Sequence, residues 1–280
     1  MSCILFADDT NLFYNHKDLC QATSVINIEL NKISVWFRAN KLSLNASKTN
    51  YIIFHPHQKP APKIDLFINN QVISSVRTTK FLGIVIDENL SWKPHIQKVA
   101  STISKSIGII YKFKGLFSKQ ILLSLYNTLV LPYLNYCAIV WANAYPSIVN
   151  RLFILQKRAV RFINNAFYRE HTTPLFNELR ILNVFDLYKY QLGTFMYQYN
   201  KNQLPSNFST FFTKINDIHT YNTRNKDNYY HNVSKSSLYQ RTVRINGPTF
   251  WNSLDVRLRS QQSLKSFKTA FKNFLINANT

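Results

Sequence analysis

The sequence predicts an α+β fold, with short strands around one helix in the first third and a mainly helical remainder. Three observations predict it. Up to about residue 91 the apolar residues fall in short β-branched or aromatic runs, separated by proline, Asn-Asn and charged residues. From Trp92 onward they recur instead at helical spacing. With 46% hydrophobic residues in 280, the chain can bury the core of one large domain or of two ordinary ones.

Taken in order, Cys3 to Ala7 and Asn11 to Tyr14 are apolar runs meeting at Asp8-Asp9-Thr10, which predicts a β-hairpin with acids at its tip. Leu19, Ala22, Ile26, Leu30, Ile33 and Phe37 predict an amphipathic helix that stops near Asn40, and Leu42 to Asn45 a turn. Tyr51–Phe54, Ile64–Ile68, Val72–Val76 and Phe81–Asp87 predict strands of one small antiparallel sheet, with Asn69-Asn70 as a two-residue hairpin turn. Trp92, Ile96, Val99, Ile103, Ile107 and Tyr111 form one helical stripe, and Leu152, Leu155, Ala159, Phe162 and Ile163 another. A helix is expected over 184–199, ended by Leu204-Pro205. Between about 205 and 240 the chain is polar, with few aliphatics, and predicts a long or partly disordered loop. Leu264, Phe267, Phe271 and Phe274 predict a closing helix.

Charge narrows the function classes. Lysine and arginine outnumber aspartate and glutamate by 34 to 13, a formal charge of +21 that a polyanion would relieve. No acidic residue occurs between Glu88 and Glu170, so the excess is concentrated in the middle of the chain. Lys98, Lys105 and Lys112 recur at heptad spacing opposite the apolar stripe. Lys157, Arg158 and Arg161 share one predicted helix with each other, and Lys93 opens the preceding one. Both helices can present cations to a phosphate backbone, or simply a solvated face. The uncharged stretch from Gln120 to Asn150 is long enough to span a bilayer, but Asn127, Pro132 and Asn135 within it fit a soluble helix pair broken at Pro132 better. No signal peptide precedes the first strand, and three scattered cysteines suit a reducing compartment, so an intracellular site, nuclear or cytoplasmic, is expected. His55 and His57 flank a proline and are assigned no metal.

The chemistry is concentrated in Phe6-Ala7-Asp8-Asp9-Thr10. Two carboxylates at a hairpin tip can hold divalent ions against a triphosphate and a primer hydroxyl, activating the attacking oxygen and neutralising the leaving one. Asp-Asp is also an ordinary turn dipeptide.

The order of segments along the chain resembles that of non-LTR (LINE-type, jockey-like) retrotransposon reverse transcriptases. Phe6-Ala7-Asp8-Asp9 resembles their aromatic-x-Asp-Asp palm motif. Lys41 to Asn45 with Lys48-Thr49 resembles the turn and strand that follow, and Phe81 to Asp87 with Leu90-Ser91-Trp92 the primer-grip strand running into the thumb. Pro132 to Tyr136 with Trp141, Leu155 to Arg161, Tyr168 to His171, His219 to Arg224, and Gly247-Pro248 with Phe250 to Leu254 resemble the family's C-terminal region.

The resemblance implies a partial palm over 1–91, a helical thumb over 92–145 and a mainly helical extension over 146–280. It implies Asp8 and Asp9 as metal-binding catalytic residues for Mg²⁺ (or Mn²⁺), Lys48 near the leaving phosphates, and Phe81, Leu82 and Gly83 as primer grip. Without the resemblance, Lys48 is a solvated turn lysine and Phe81 to Gly83 a strand edge with a β-bulge. The implied partners are an RNA template, a DNA primer and, in the complete enzyme, deoxynucleoside triphosphates. Another metal-binding aspartate and the nucleotide-binding fingers precede this stretch in the family, so the isolated chain is expected to bind duplex and not to extend it. A non-enzymatic nucleic-acid-binding protein and a degenerate element product remain the alternatives.

Overall fold

The computed structural model describes residues 1–45, 48–218, 226–231 and 233–278. It divides into two compact units, Met1–Leu90 and Ser91–Thr280.

In the first unit, β1 (Ser2–Phe6) and β2 (Asp9–Phe13) form the antiparallel hairpin expected from the sequence. Helix α1 (Leu19–Ala39) starts at Asp18, whose side chain accepts the Gln21 N–H at 3.0 Å and satisfies a first-turn donor, and it ends at Asn40 as predicted. The strands β3 (Asn50–Tyr51), β4 (Phe67–Ile68), β5 (Gln71–Val72), β6 (Ser74–Ser75), β7 (Thr78–Phe81) and β8 (Ile84–Asp87) are shorter than the apolar runs suggested. They do not form one antiparallel sheet. Among the described residues they make two-stranded pairs, and β3 pairs with β6 in parallel.

The physical reason is that the apolar residues here are buried against α1 instead of along a continuous ladder. Leu66, Ile68 and Ile73 cluster with Leu30 of α1, with Ile26, Leu44, Tyr51 and Ile64 packed around them. The side chain of Asn27 on α1 takes the place of a neighbouring strand, donating to the Asp65 carbonyl at 3.1 Å and accepting the Phe67 N–H at 2.9 Å. Asn69 and Asn70 do form the expected turn between β4 and β5, at φ 50° and 59°.

The second unit is helical. It contains α2 (Lys93–Phe113), α3 (Lys119–Leu129), α4 (Leu131–Asn135), α5 (Ala138–Trp141), α6 (Pro146–Ile163), α7 (Thr173–Glu178), α8 (Val184–Asn200), α9 (Ser237–Gln240), α10 (Val243–Ser253), α11 (Val256–Arg259) and α12 (Leu264–Asn277). The helix pair expected around Pro132 is present, but the break falls at Val130 and Pro132 sits in the first turn of α4, where its missing N–H costs nothing; no helix among the described residues is long and apolar enough to cross a membrane. Residues from the expected thumb and the expected extension share this unit, because α2 packs along α6.

The buried stripe of α2 is His95, Ile96, Val99, Ala100, Ile103, Ile107 and Ile110. Tyr111, assigned to that stripe from spacing, is 60% exposed. One residue is a rotation of about 100° on a helix, so Ile110 takes the inward position and Tyr111 the flank. On α12, Phe267, Phe271, Leu275 and Ile276 are buried while Phe274 faces out.

Within 205–240, the described residues are not a bare loop. Phe212 and Tyr229 are buried, the Tyr199 hydroxyl donates to the Phe212 carbonyl at 2.8 Å, and the Tyr229 hydroxyl donates to Asn200 at 3.0 Å. Aromatic rings do the burying that the missing aliphatics cannot. The His219 to Arg224 motif lies outside the described residues.

Candidate nucleic-acid interface

In the first unit, β1 and β2 pair from Ser2 opposite Phe13 to Phe6 opposite Asp9, so Ala7 and Asp8 are the two-residue turn and Asp9 opens β2. Ala7 takes the left-handed conformation, φ 50°, that such a turn demands. Both carboxylates are exposed. Their hard oxygens are of the kind Mg²⁺ and Mn²⁺ take, and such ions are often held by one or two carboxylates plus substrate phosphates. Among the described residues no group of three or more His, Cys, Asp or Glu is arranged to hold a metal. The tip presents two exposed carboxylates next to each other in sequence.

Lys48 is exposed in the turn that follows α1, its own N–H donating to the Asn45 carbonyl at 3.1 Å. Phe81 ends the edge strand β7, as expected, but Leu82 and Gly83 are a turn and not a bulge. Phe81 pairs with Ile84, and Leu82 at φ 44° and Gly83 at φ 85° are the turn of the β7–β8 hairpin. Glycine takes the positive φ at position 83 without the cost a side chain would add. Phe81 meets Phe13 edge to face at 6.2 Å between ring centres, which ties this hairpin to the base of the Asp8–Asp9 hairpin.

In the second unit, Lys93, Lys98, Lys105 and Lys112 are all exposed on α2. Heptad spacing holds the last three on one line, on the side away from Ile96, Ile103 and Ile110. The α6 cations are not a single ridge. Arg158 borders the cleft between α2 and α6, whereas Lys157 lies over the Phe153 ring at 4.3 Å. Arg161 donates through Nε and Nη2 to the Glu170 carbonyl at 3.0 and 2.8 Å and holds the chain that follows α6. Among the described residues, Arg158 and the α2 lysines take part in no ion pair.

What holds these helices in place was not visible in the sequence. Gln156 is fully buried, donates from Nε2 to the Tyr126 hydroxyl at 2.8 Å, and accepts the Val184 N–H at 2.7 Å. It joins α3, α6 and the start of α8, and burial pushes the Tyr126 hydroxyl pKa up. A glutamine inside a stripe of Leu and Ala was the one available signal. His95 packs edge to face on the buried Trp141 at 5.3 Å, whose Nε1 donates to the Tyr136 carbonyl at 2.8 Å. Burial, helped by the charge of Lys98, lowers the His95 pKa to about 4, so the ring is neutral at pH 7.

Comparison with known proteins places the chain beside polymerases of mobile elements. It is 24% identical over 184 residues to the probable RNA-directed DNA polymerase from transposon X-element of Drosophila melanogaster, covering 65% of this chain and 20% of that protein. It is 25% identical over 182 residues to the RNA-directed DNA polymerase from mobile element jockey of the same species, covering 63% of this chain and 19% of that protein. The probable RNA-directed DNA polymerase from transposon BS, also of Drosophila melanogaster, is 24% identical over 185 residues, 64% of this chain and 20% of that protein. The chain thus spans about a fifth of the length of these relatives. No protein-family model matches the chain, and no solved structure does.

Proposed function

We propose that this chain, a relative of the jockey-like RNA-directed DNA polymerases, contributes to RNA-directed DNA synthesis by gripping a primer–template duplex and presenting two catalytic carboxylates. The similarity over nearly two thirds of the chain carries this reading. The division of labour follows from chemistry. Lys98, Lys105 and Lys112, with Lys93 and Arg158, contact phosphates without reading bases, while Lys157 and Arg161 contribute charge around positions already engaged within the fold. Asp8 and Asp9 would hold Mg²⁺ or Mn²⁺ together with substrate phosphates, Lys48 would stand near the leaving phosphates, and the Phe81–Leu82–Gly83 turn would support the primer end. A bound divalent ion supplies charge neutralisation and an activated oxygen nucleophile. RNA template, DNA primer and deoxynucleoside triphosphates are the partners this assigns.

The test is salt-dependent duplex binding. Each phosphate neutralised contributes a slope of about −0.9 in log affinity against log salt on B-form duplex. Replacing Lys98, Lys105 and Lys112 together with Gln should weaken binding to all sequences alike and make the slope shallower by about two to three, with circular dichroism unchanged. An unaltered slope would reduce these lysines to a solvated face. In a polymerase carrying this segment, Asp8→Ala should abolish primer extension and leave duplex affinity intact, because the side chain is exposed at a turn. Retained extension would remove Asp8 from the catalytic centre.

A further inference from the structure

The lysine line of α2 faces outward, and a concave surface of the second unit lies to one side of it. A cleft of about 440 Å³ opens between α2 and α6, within the roughly 300–1,000 Å³ range of small-molecule sites. Its lining includes the apolar Ile107 and Leu155, the rings of Tyr111, Phe162 and Tyr168, and the cations Lys114, Arg158 and Arg161. The Tyr111 and Phe162 rings lie 4.9 Å apart between centres, and Lys114 Nζ stands 5.8 Å from the Phe162 ring centre. Tyr111 is 60% exposed and Tyr168 82%.

The segment carrying Tyr168 is fastened. Arg161 holds the Glu170 carbonyl, the Glu170 carboxylate accepts the Phe167 N–H at 3.1 Å, and the Ala166 N–H donates to the Arg161 carbonyl at 2.9 Å. A fixed loop that keeps two neighbouring rings, Phe167 and Tyr168, more than four-fifths exposed gives up burial that a loose loop could recover by folding them in. Of the two, Tyr168 lines the cleft, with its ring face open to a flat partner. The cations beside it ask for an anion, and the Glu170 carboxylate is already engaged with backbone.

We propose that this cleft takes one unpaired nucleotide of a single-stranded nucleic acid, its base against Tyr111, Phe162 and Tyr168 and its phosphates against Arg158 and Lys114. A duplex keeps its base faces stacked inside itself and cannot offer one to a concave site, whereas every unpaired base has a free π-face that aromatic side chains accept without regard to sequence. Arg151, exposed one heptad before Arg158, extends the same flank of α6 and gives the neighbouring phosphate of a continuing strand a partner. Arg161 acts as a positioning residue for the Tyr168 loop. The inference rests on the nucleic-acid reading for the class of partner and shares Arg158 with it, but the rings of Tyr111, Phe162 and Tyr168 lie apart from the outward lysines and add a stacking chemistry those lysines lack.

The experiment measures the affinity of the full chain for a fluorescent single strand and for a duplex of the same length. Losing a stacked base weakens binding by about 5- to 150-fold. Tyr168→Ala should lower single-strand affinity within that range and leave duplex affinity within about two-fold, and Tyr168→Phe, which keeps the ring, should restore the single strand. Arg158→Gln should weaken single-strand binding and reduce its salt slope by about 0.7. Photocrosslinking of a 5-iodouridine strand should map to Tyr111 or Tyr168. The proposal is overturned if Tyr168→Ala leaves single-strand affinity unchanged, if it weakens duplex equally, or if it instead abolishes binding to anionic vesicles alone. Loss of duplex binding in the triple lysine variant, with the single strand unaffected by Tyr168→Ala, would keep the duplex reading and sink this one.

Discussion

Replacing Gln156 with leucine tests what holds the α6 cations in place. Leucine nearly fills the same volume, so the change removes hydrogen bonds and creates little cavity. The Val184 N–H at 2.7 Å and the Tyr126 hydroxyl at 2.8 Å lose their partner in a region where Val184, Tyr126 and Gln156 are all at 0% exposure. The Val184 N–H belongs to the first turn of α8 and has no intrahelical acceptor. Each orphaned group costs about 1–3 kcal/mol, and the added apolar contact of leucine offsets part of that, which leaves a net loss of roughly 3 kcal/mol. With a urea dependence of about 1–3 kcal/mol per molar, the unfolding midpoint followed by far-UV circular dichroism should fall by about 1–3 M. Tyr126→Phe in the same chain removes one orphan, so the double variant should be less destabilised than the sum by about 1 kcal/mol. A midpoint shift under about 0.3 M, or strict additivity, would refute the assignment of Gln156 as the joint between three helices.

Two further perturbations have signs that the structure decides. His95 is neutral in the fold, its pKa pushed from 6.5 to about 4 by burial and by Lys98. Above the unfolded value both states are neutral and nothing changes. Between 6.5 and about 4 the unfolded chain binds a proton that the fold excludes, so stability should fall by up to roughly 3 kcal/mol across that window. His95→Gln should flatten that part of the profile in urea titrations at a series of pH values, and an unchanged difference between pH ~7 and ~4.5 would count against it. Gly193→Ala raises helix propensity by about 1 kcal/mol, but the new methyl would stand 2.5 Å from Phe271 Cε1, a ring at 0% exposure with no room to swing. A net loss of about 1–2 kcal/mol in the same urea assay is expected, and a gain would show that the ring yields.

Legibility followed the range of the interactions. The Asp8–Asp9 hairpin, the limits of α1, the Asn69–Asn70 turn and the helix break two residues before Pro132 all depend on neighbours a few residues apart, and the residues announce them. The lysine line of α2 was readable for the same reason, since heptad spacing places residues on a face whatever the rest of the chain does. The pairing of β3 with β6 was not readable. Apolar runs record that side chains must leave water, and α1 satisfied that need through Leu30 and Asn27 where a ladder was expected. Leu82-Gly83 suits both a bulge and a turn, and only the partner found for Phe81 decided between them.

The α6 cations show the same division. Composition determined that the middle of this chain is positive, and periodicity determined that its helices turn an apolar side inward. Which arginine faces a cleft, which one holds a loop and which lysine lies on a ring depended on the packing of α2 along α6 and on the course of the chain to Glu170. Those contacts join residues far apart in sequence, and a side chain's reach is settled only when its neighbour's position is.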